Sequence, residues 1–87
     1  MNNKVLVKIN MPQMDLQFDV FIPVNEIVWK IKKMLLKAIS DLSDIKFDID
    51  NNFSLINEDS DLIYNDNDII IDTDIRNGTK LMIFLIQ

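Results

Sequence analysis

The chain has 87 residues, of which 48% are apolar, and a formal charge of −5, with no cysteine and no histidine. That length supports one core, read as a single domain over residues 1–87. The composition excludes disulfides, thiolate nucleophiles and sulfur-built zinc sites, removes the commonest general base, and argues against binding to nucleic-acid phosphates.

Val5, Val7 and Ile9 alternate with Leu6 and Lys8, and Leu16, Phe18, Val20 and Ile22 alternate with Gln17, Asp19 and Phe21. Two such runs around MPQM predict a β-hairpin. Pro12 fixes its φ near −65°, so a four-residue loop from Met11 to Met14 on a type I turn is expected. The implied register pairs Val5 with Val20, Val7 with Phe18 and Ile9 with Leu16, turning one apolar face inward. By this parity Val20 faces the core.

Pro23 ends the second strand, and Asn25 followed by Glu26 predicts an N-cap and a first-turn acid. The helix is expected from Glu26 to about Leu42, with Ile27, Val28, Ile31, Met34, Leu35, Ala38, Ile39 and Leu42 as its buried stripe. Lys30, Lys33 and Lys37 fall together on a flank, where a solvated face, an acidic partner and an anionic membrane are the readings. Trp29 and Leu36 fall near the back. Beyond Ser43 the chain is rich in Asn and Asp, and eleven of its fourteen acids lie between Asp41 and Asp74. FSLIN (53–57), DLIYN (61–65) and DIII (68–71) are strand-length apolar runs bounded by turn residues. Asn77-Gly78 signals a turn, and Leu81, Ile83 and Leu85 predict a last strand over Lys80–Ile86 with one buried face. The order gives an α+β fold: a mixed sheet of about five strands with one helix packed across it.

This order resembles ubiquitin and the β-grasp folds. The stretch SDLIYNDNDIIIDTDIRNGTKLMIFL is similar to the corresponding part of the YukD/EsaB family, small ubiquitin-like proteins associated with type VII secretion. The matching positions are Ile70, the IDTDI turn ending at Ile75, and Asn77, Gly78, Leu81 and Ile83. The resemblance implies a ubiquitin-like accessory or regulatory component of a bacterial secretion system, cytoplasmic and without catalytic residues. Ubiquitin and the sulfur carriers end in a Gly-Gly tail whose carboxylate is adenylated. Here Leu85-Ile86-Gln87 end the strand and the single glycine, Gly78, sits in a turn, so conjugation is not expected. A ubiquitin-like adaptor from an unrelated pathway is the alternative.

Other constellations are weaker. Asp48, Asp50, Asn52 and Asp59 match positions of a calcium loop, but Phe53 stands where the sharp turn needs glycine. Asp66, Asp68, Asp72 and Asp74 read as a solvated acidic loop rather than as paired catalytic carboxylates. No metal site and no cofactor is expected. The N-terminus lacks the apolar run of a signal peptide, and no stretch approaches the roughly 20 apolar residues of a membrane span.

A protein partner, or a second copy of the chain, is the expected target. If Leu81, Ile83 and Leu85 face the helix, Met82 and Phe84 face outward. The resemblance makes the first and last strands parallel neighbours, which would bring Leu6 beside Met82 and Phe84, rimmed by Lys8 and Lys80. Ubiquitin presents its main binding patch on that side of the sheet. Trp29 with Leu36 is the competing site.

Overall fold

A computed structural model of the chain describes residues 3–45 and 53–86. Four strands form one mixed sheet: β1 (Lys4–Met11), β2 (Leu16–Pro23), β3 (Phe53–Asn57) and β4 (Lys80–Leu85), in the order β2-β1-β4-β3. One helix, α1 (Val28–Ser43), connects the second strand to the later part of the chain. The first and last strands are parallel neighbours at the centre, as expected, and the other two pairs are antiparallel.

The alternation of apolar residues decides which face of each strand is buried. Val7, Ile9 and Met11 from β1, Leu55 from β3, and Leu81 and Ile83 from β4 are buried together with Val28, Ile31, Leu35 and Ile39 of α1. Each such side chain removed from water contributes about 1.5–3 kcal/mol before entropy is subtracted.

The hairpin register differs from the expected one. Val5 pairs with Ile22, Val7 with Val20 and Ile9 with Phe18, a slip of two residues that preserves every facing. β1 extends through Met11, which is fully buried opposite Leu16. The connection is a 3₁₀ turn over Pro12–Met14, closed by Asp15 in the left-handed region at φ 51° and by its N–H donating to the Pro12 carbonyl. Keeping Met11 in the core therefore moves the turn one residue along the chain. Val20 faces inward but is only half-buried, because β2 is an edge strand.

The helix starts later than expected and without Asn25 as its cap. Ile27 precedes it with extended backbone and no side-chain cap. Instead the Val28 N–H donates to the Asp68 carbonyl at 2.8 Å and the Trp29 N–H to the Asp66 carbonyl at 3.1 Å. Carbonyls of a loop distant in sequence thus satisfy two of the orphan donors at the helix start. Lys32 fastens the same loop by a 2.8 Å ion pair to Asp66.

The buried stripe is also rotated from the expected one. Leu36 is 5% exposed and belongs to the core, whereas Met34 and Leu42 are exposed.

FSLIN is a strand, but the two following apolar runs are not. DLIYN makes one isolated bridge, between Ile63 and Ile56, and DIII becomes a bridge at Ile69 followed by a 3₁₀ turn over Ile70–Asp72. The Ile70 and Ile71 N–H groups donate to the carbonyls of Glu26 and Val24, just before α1. Their donors are therefore spent on the helix approach and not on a sheet ladder, which leaves four strands among the described residues where about five were expected.

A polar clip holds this region against β3. Asn57 is buried, its Nδ2 donates to the Tyr64 hydroxyl at 3.1 Å, and that hydroxyl donates to Asp74. Burial of the phenol, then its hydrogen bond to Asp74, pushes the Tyr64 pKa up to about 12. Gly78 takes φ +88° in the turn before β4, a conformation that a side chain at this position would strain.

Candidate functional site

The outward residues of the sheet follow from strand parity. Leu6, Lys8 and Asn10 point away from the helix on β1, Gln17, Asp19 and Phe21 on β2, Ser54 and Ile56 on β3, and Lys80, Met82 and Phe84 on β4.

Lys8 and Lys80 are register partners on adjacent parallel strands, so these two expected site residues do meet. Met82 and Phe84 share the face as expected, and Phe84 is 46% exposed. Leu6 does not join them. The β4 register places Asn10, not Leu6, beside Met82. Leu6 lies at the turn before β4, where its N–H donates to the Asn77 side-chain oxygen and its carbonyl accepts from the Gly78 N–H. Its side-chain neighbour is Phe21, its partner on β2.

The apolar neighbours of Met82 and Phe84 come from the other side. Ile56 pairs with Met82, and Ile63 is bridged to Ile56, so the three stand in one row across the face. Ile63 is 59% exposed. Contiguous apolar surface of this kind marks interaction sites more often than scattered residues do. Sequence reasoning missed Ile56 and Ile63. The alternation of Phe53, Leu55 and Asn57 inward would have shown Ile56 facing outward, whereas the Ile63 bridge has no local signal.

A row of charge crosses the face beside this patch. Asp19, Lys8 and Lys80 follow one another by register, and Glu58 completes the row through its N–H bond to the Lys80 carbonyl. A groove of about 330 Å³ opens here, lined by Lys8, Asn10, Gln17, Asp19, Glu58 and Lys80 among others. The Asn10 amide donates to the Glu58 carboxylate at 2.9 Å.

The competing site does not form as a pair. Trp29 is exposed, with the Lys33 ammonium 3.9 Å from its ring centroid, but Leu36 is buried beneath the helix. Of the calcium-loop residues, Asp48, Asp50 and Asn52 lie outside the described residues. Among the described residues no cluster of three or more potential ligands is placed to hold a metal ion, and no helix is long and apolar enough to cross a membrane.

A mixed sheet with parallel central strands, crossed by one helix and closed by a last strand beside the first, defines a ubiquitin-like fold. Solved structures agree. The chain superposes on the EccD5 ubiquitin-like domain from Mycobacterium xenopi with a TM-score of 0.78 and 15% identity, covering 99% of this chain and 98% of that one. The ubiquitin-like domain of the Mycobacterium tuberculosis type VII secretion protein EccD1 gives 0.71 and 11%, covering 93% and 97%. A chain of the MycP5-free ESX-5 inner membrane complex gives 0.79 and 19%, with 98% of this chain spanning 21% of that one. No protein-family model and no curated protein sequence matches the chain.

Proposed function

We propose that the protein is a ubiquitin-like accessory or regulatory component of a bacterial type VII secretion system, similar to the YukD/EsaB family, acting in the cytoplasm by non-covalent contact. The observation that carries this reading is the likeness to the EccD5 ubiquitin-like domain over nearly the whole of both chains. Sequence features support the same reading: the similarity of residues 60–85 to that family, the absence of cysteine and histidine, and a single glycine held in a turn. The surface through which it acts is the outer sheet face, with Ile56, Ile63, Met82 and Phe84 as its apolar centre. The partner is a protein component of the secretion machine.

The test is genetic. Deleting the gene in its source bacterium should reduce export of type VII substrates. Wild-type protein should restore export and a Phe84→Ala variant should not. Undiminished export in the deletion strain would defeat the proposal.

A ubiquitin-like adaptor from another pathway is the second reading. It is favoured by comparably good superposition on a structure described as molecular mimicry of SUMO in DNA repair, at a TM-score of 0.71 and 18% identity. Association with a non-secretion complex, with export unchanged, would select it.

A further inference from the structure

Asparagine carries its own modification chemistry, and the residue after it governs the rate. The main-chain nitrogen of that residue attacks the side-chain amide carbon, a C–N bond forms, and the bond to the amide nitrogen breaks with release of ammonia. Water then opens the resulting succinimide at either carbonyl. The products are aspartate and an isoaspartyl link, which has one extra methylene in the main chain. A side chain on the attacking residue hinders ring closure, so glycine permits it best. Asn77 alone among the asparagines is followed by glycine, since Gly78 is the one glycine of the chain. Both residues are exposed, and a Cβ placed on Gly78 would meet nothing within 4 Å. Steric cover therefore does not restrain the pair.

Hydrogen bonds restrain it instead. Asn77 and Gly78 are the central residues of a turn in which the Thr79 N–H donates to the Arg76 carbonyl at 3.1 Å and the Arg76 N–H donates to Thr79 Oγ1 at 2.8 Å. One residue of β1 also holds both reacting groups. The Leu6 N–H donates to Asn77 Oδ1 at 2.8 Å, and the Gly78 N–H donates to the Leu6 carbonyl at 2.8 Å. Next along the chain the Lys8 N–H donates to the Thr79 carbonyl at 3.0 Å, so these bonds extend the parallel β1–β4 ladder into the turn. Attack requires loss of the Gly78 proton, and that proton is shielded from base until its bond to Leu6 opens. The bonds that begin the central strand junction are thus the ones that hold the reaction off.

We propose that Asn77–Gly78 is a self-modification site guarded by Leu6, converting to aspartyl and isoaspartyl forms, with water as co-reactant, in molecules whose β1–β4 junction has opened. The two products differ in effect. An aspartyl product keeps an oxygen for the Leu6 N–H and adds one negative charge. The isoaspartyl link displaces Gly78 by a methylene, so the Leu6 N–H and carbonyl are no longer both satisfied. A transient opening then becomes permanent at the strand pair that carries Lys8 and Lys80. The inference is independent of which partner the protein has.

The test follows the purified protein at mildly alkaline pH, with peptide mapping for the mass gain of amide to acid and isoaspartyl methyltransferase labelling for the rearranged link. In guanidinium-unfolded chains Asn77 should convert ahead of every other asparagine. In the folded protein the same conversion should be at least roughly tenfold slower. Thr79→Ala removes the acceptor of the Arg76 N–H. It should raise hydrogen exchange at Gly78 and conversion at Asn77 by the same factor, whereas Thr79→Ser keeps both at the parent's rates. The isolated isoaspartyl product should exchange its Leu6 amide faster than the parent, and an Asn77→Asp variant should match the parent. Equal conversion in folded and unfolded chains, conversion centred on another asparagine, or faster Gly78 exchange in Thr79→Ala without faster conversion would overturn the proposal. Parent-like Leu6 exchange in the isoaspartyl product would overturn it too.

Discussion

Lys8 and Lys80 stand side by side on the two central parallel strands, facing away from the helix. Neighbouring like charges on a sheet face oppose folding slightly. Replacing Lys80 with Ala should therefore leave stability within about 0.5 kcal/mol of the parent or raise it. Denaturant unfolding checks this, and a loss above about 1 kcal/mol would show that the Lys80 side chain is part of the fold.

The rotated helix stripe gives a sharper test. Leu36→Ala should cost about 2–5 kcal/mol, as expected for a buried leucine. Leu42→Ala, at a position 59% exposed, should cost no more than about 0.5 kcal/mol. Thermal unfolding of the two variants with the order reversed would mean that the helix is turned the other way.

The Tyr64 hydroxyl links fold stability to alkaline pH. Its pKa stands near 12 in the fold against 10.0 for an unperturbed tyrosine, chiefly through burial. Between those values the unfolded chain loses the proton before the folded one does. The stabilisation is present below pH 10 and falls away as pH rises towards 12. Tyr64→Phe should cost about 1–2 kcal/mol at neutral pH and flatten this alkaline decline. Parallel pH profiles for parent and variant would rule the linkage out.

Gln13 acts as a short substitute strand at the end of β4. Its Oε1 accepts the Leu85 N–H at 2.7 Å and its Nε2 donates to the Leu85 carbonyl at 3.3 Å. Gln13→Ala should cost about 1 kcal/mol and accelerate hydrogen exchange at Leu85 more than at Ile83. Equal exchange at both amides in the variant would contradict that local role.

Strand parity was legible in the sequence because alternation is a local property. Val7, Ile9, Leu81 and Ile83 are all buried as expected. The hairpin register was not, since pairing Val7 with Phe18 or with Val20 turns the same apolar residues inward. Burial of Met11 and the left-handed Asp15 select between them, and neither follows from alternation. The helix phase is hidden for a related reason. Met34 and Leu42 are as apolar as Leu36, and only contact with the sheet determines which side of α1 is buried. Capping by Asp66 and Asp68 carbonyls is likewise invisible in the residues around Asn25.

The candidate site was legible in the same partial way. Parity placed Met82 and Phe84 outward and the parallel pairing brought Lys8 to Lys80, but the stagger between β1 and β4 is a long-range property. It separates Leu6 from the patch and leaves Ile56 and Ile63 to complete it.

The central claim is that the outer sheet face, and not the back of the helix, carries the function. Under the proposed secretion role, its most direct test is binding of the purified protein to a detergent-solubilised type VII membrane complex from the source bacterium, compared for wild type, Phe84→Ala and Trp29→Ala. Phe84→Ala should retain wild-type thermal unfolding and lose about 1–3 kcal/mol of affinity, while Trp29→Ala binds as wild type does. Full affinity for Phe84→Ala together with a loss for Trp29→Ala would place the interface on the helix and contradict the account.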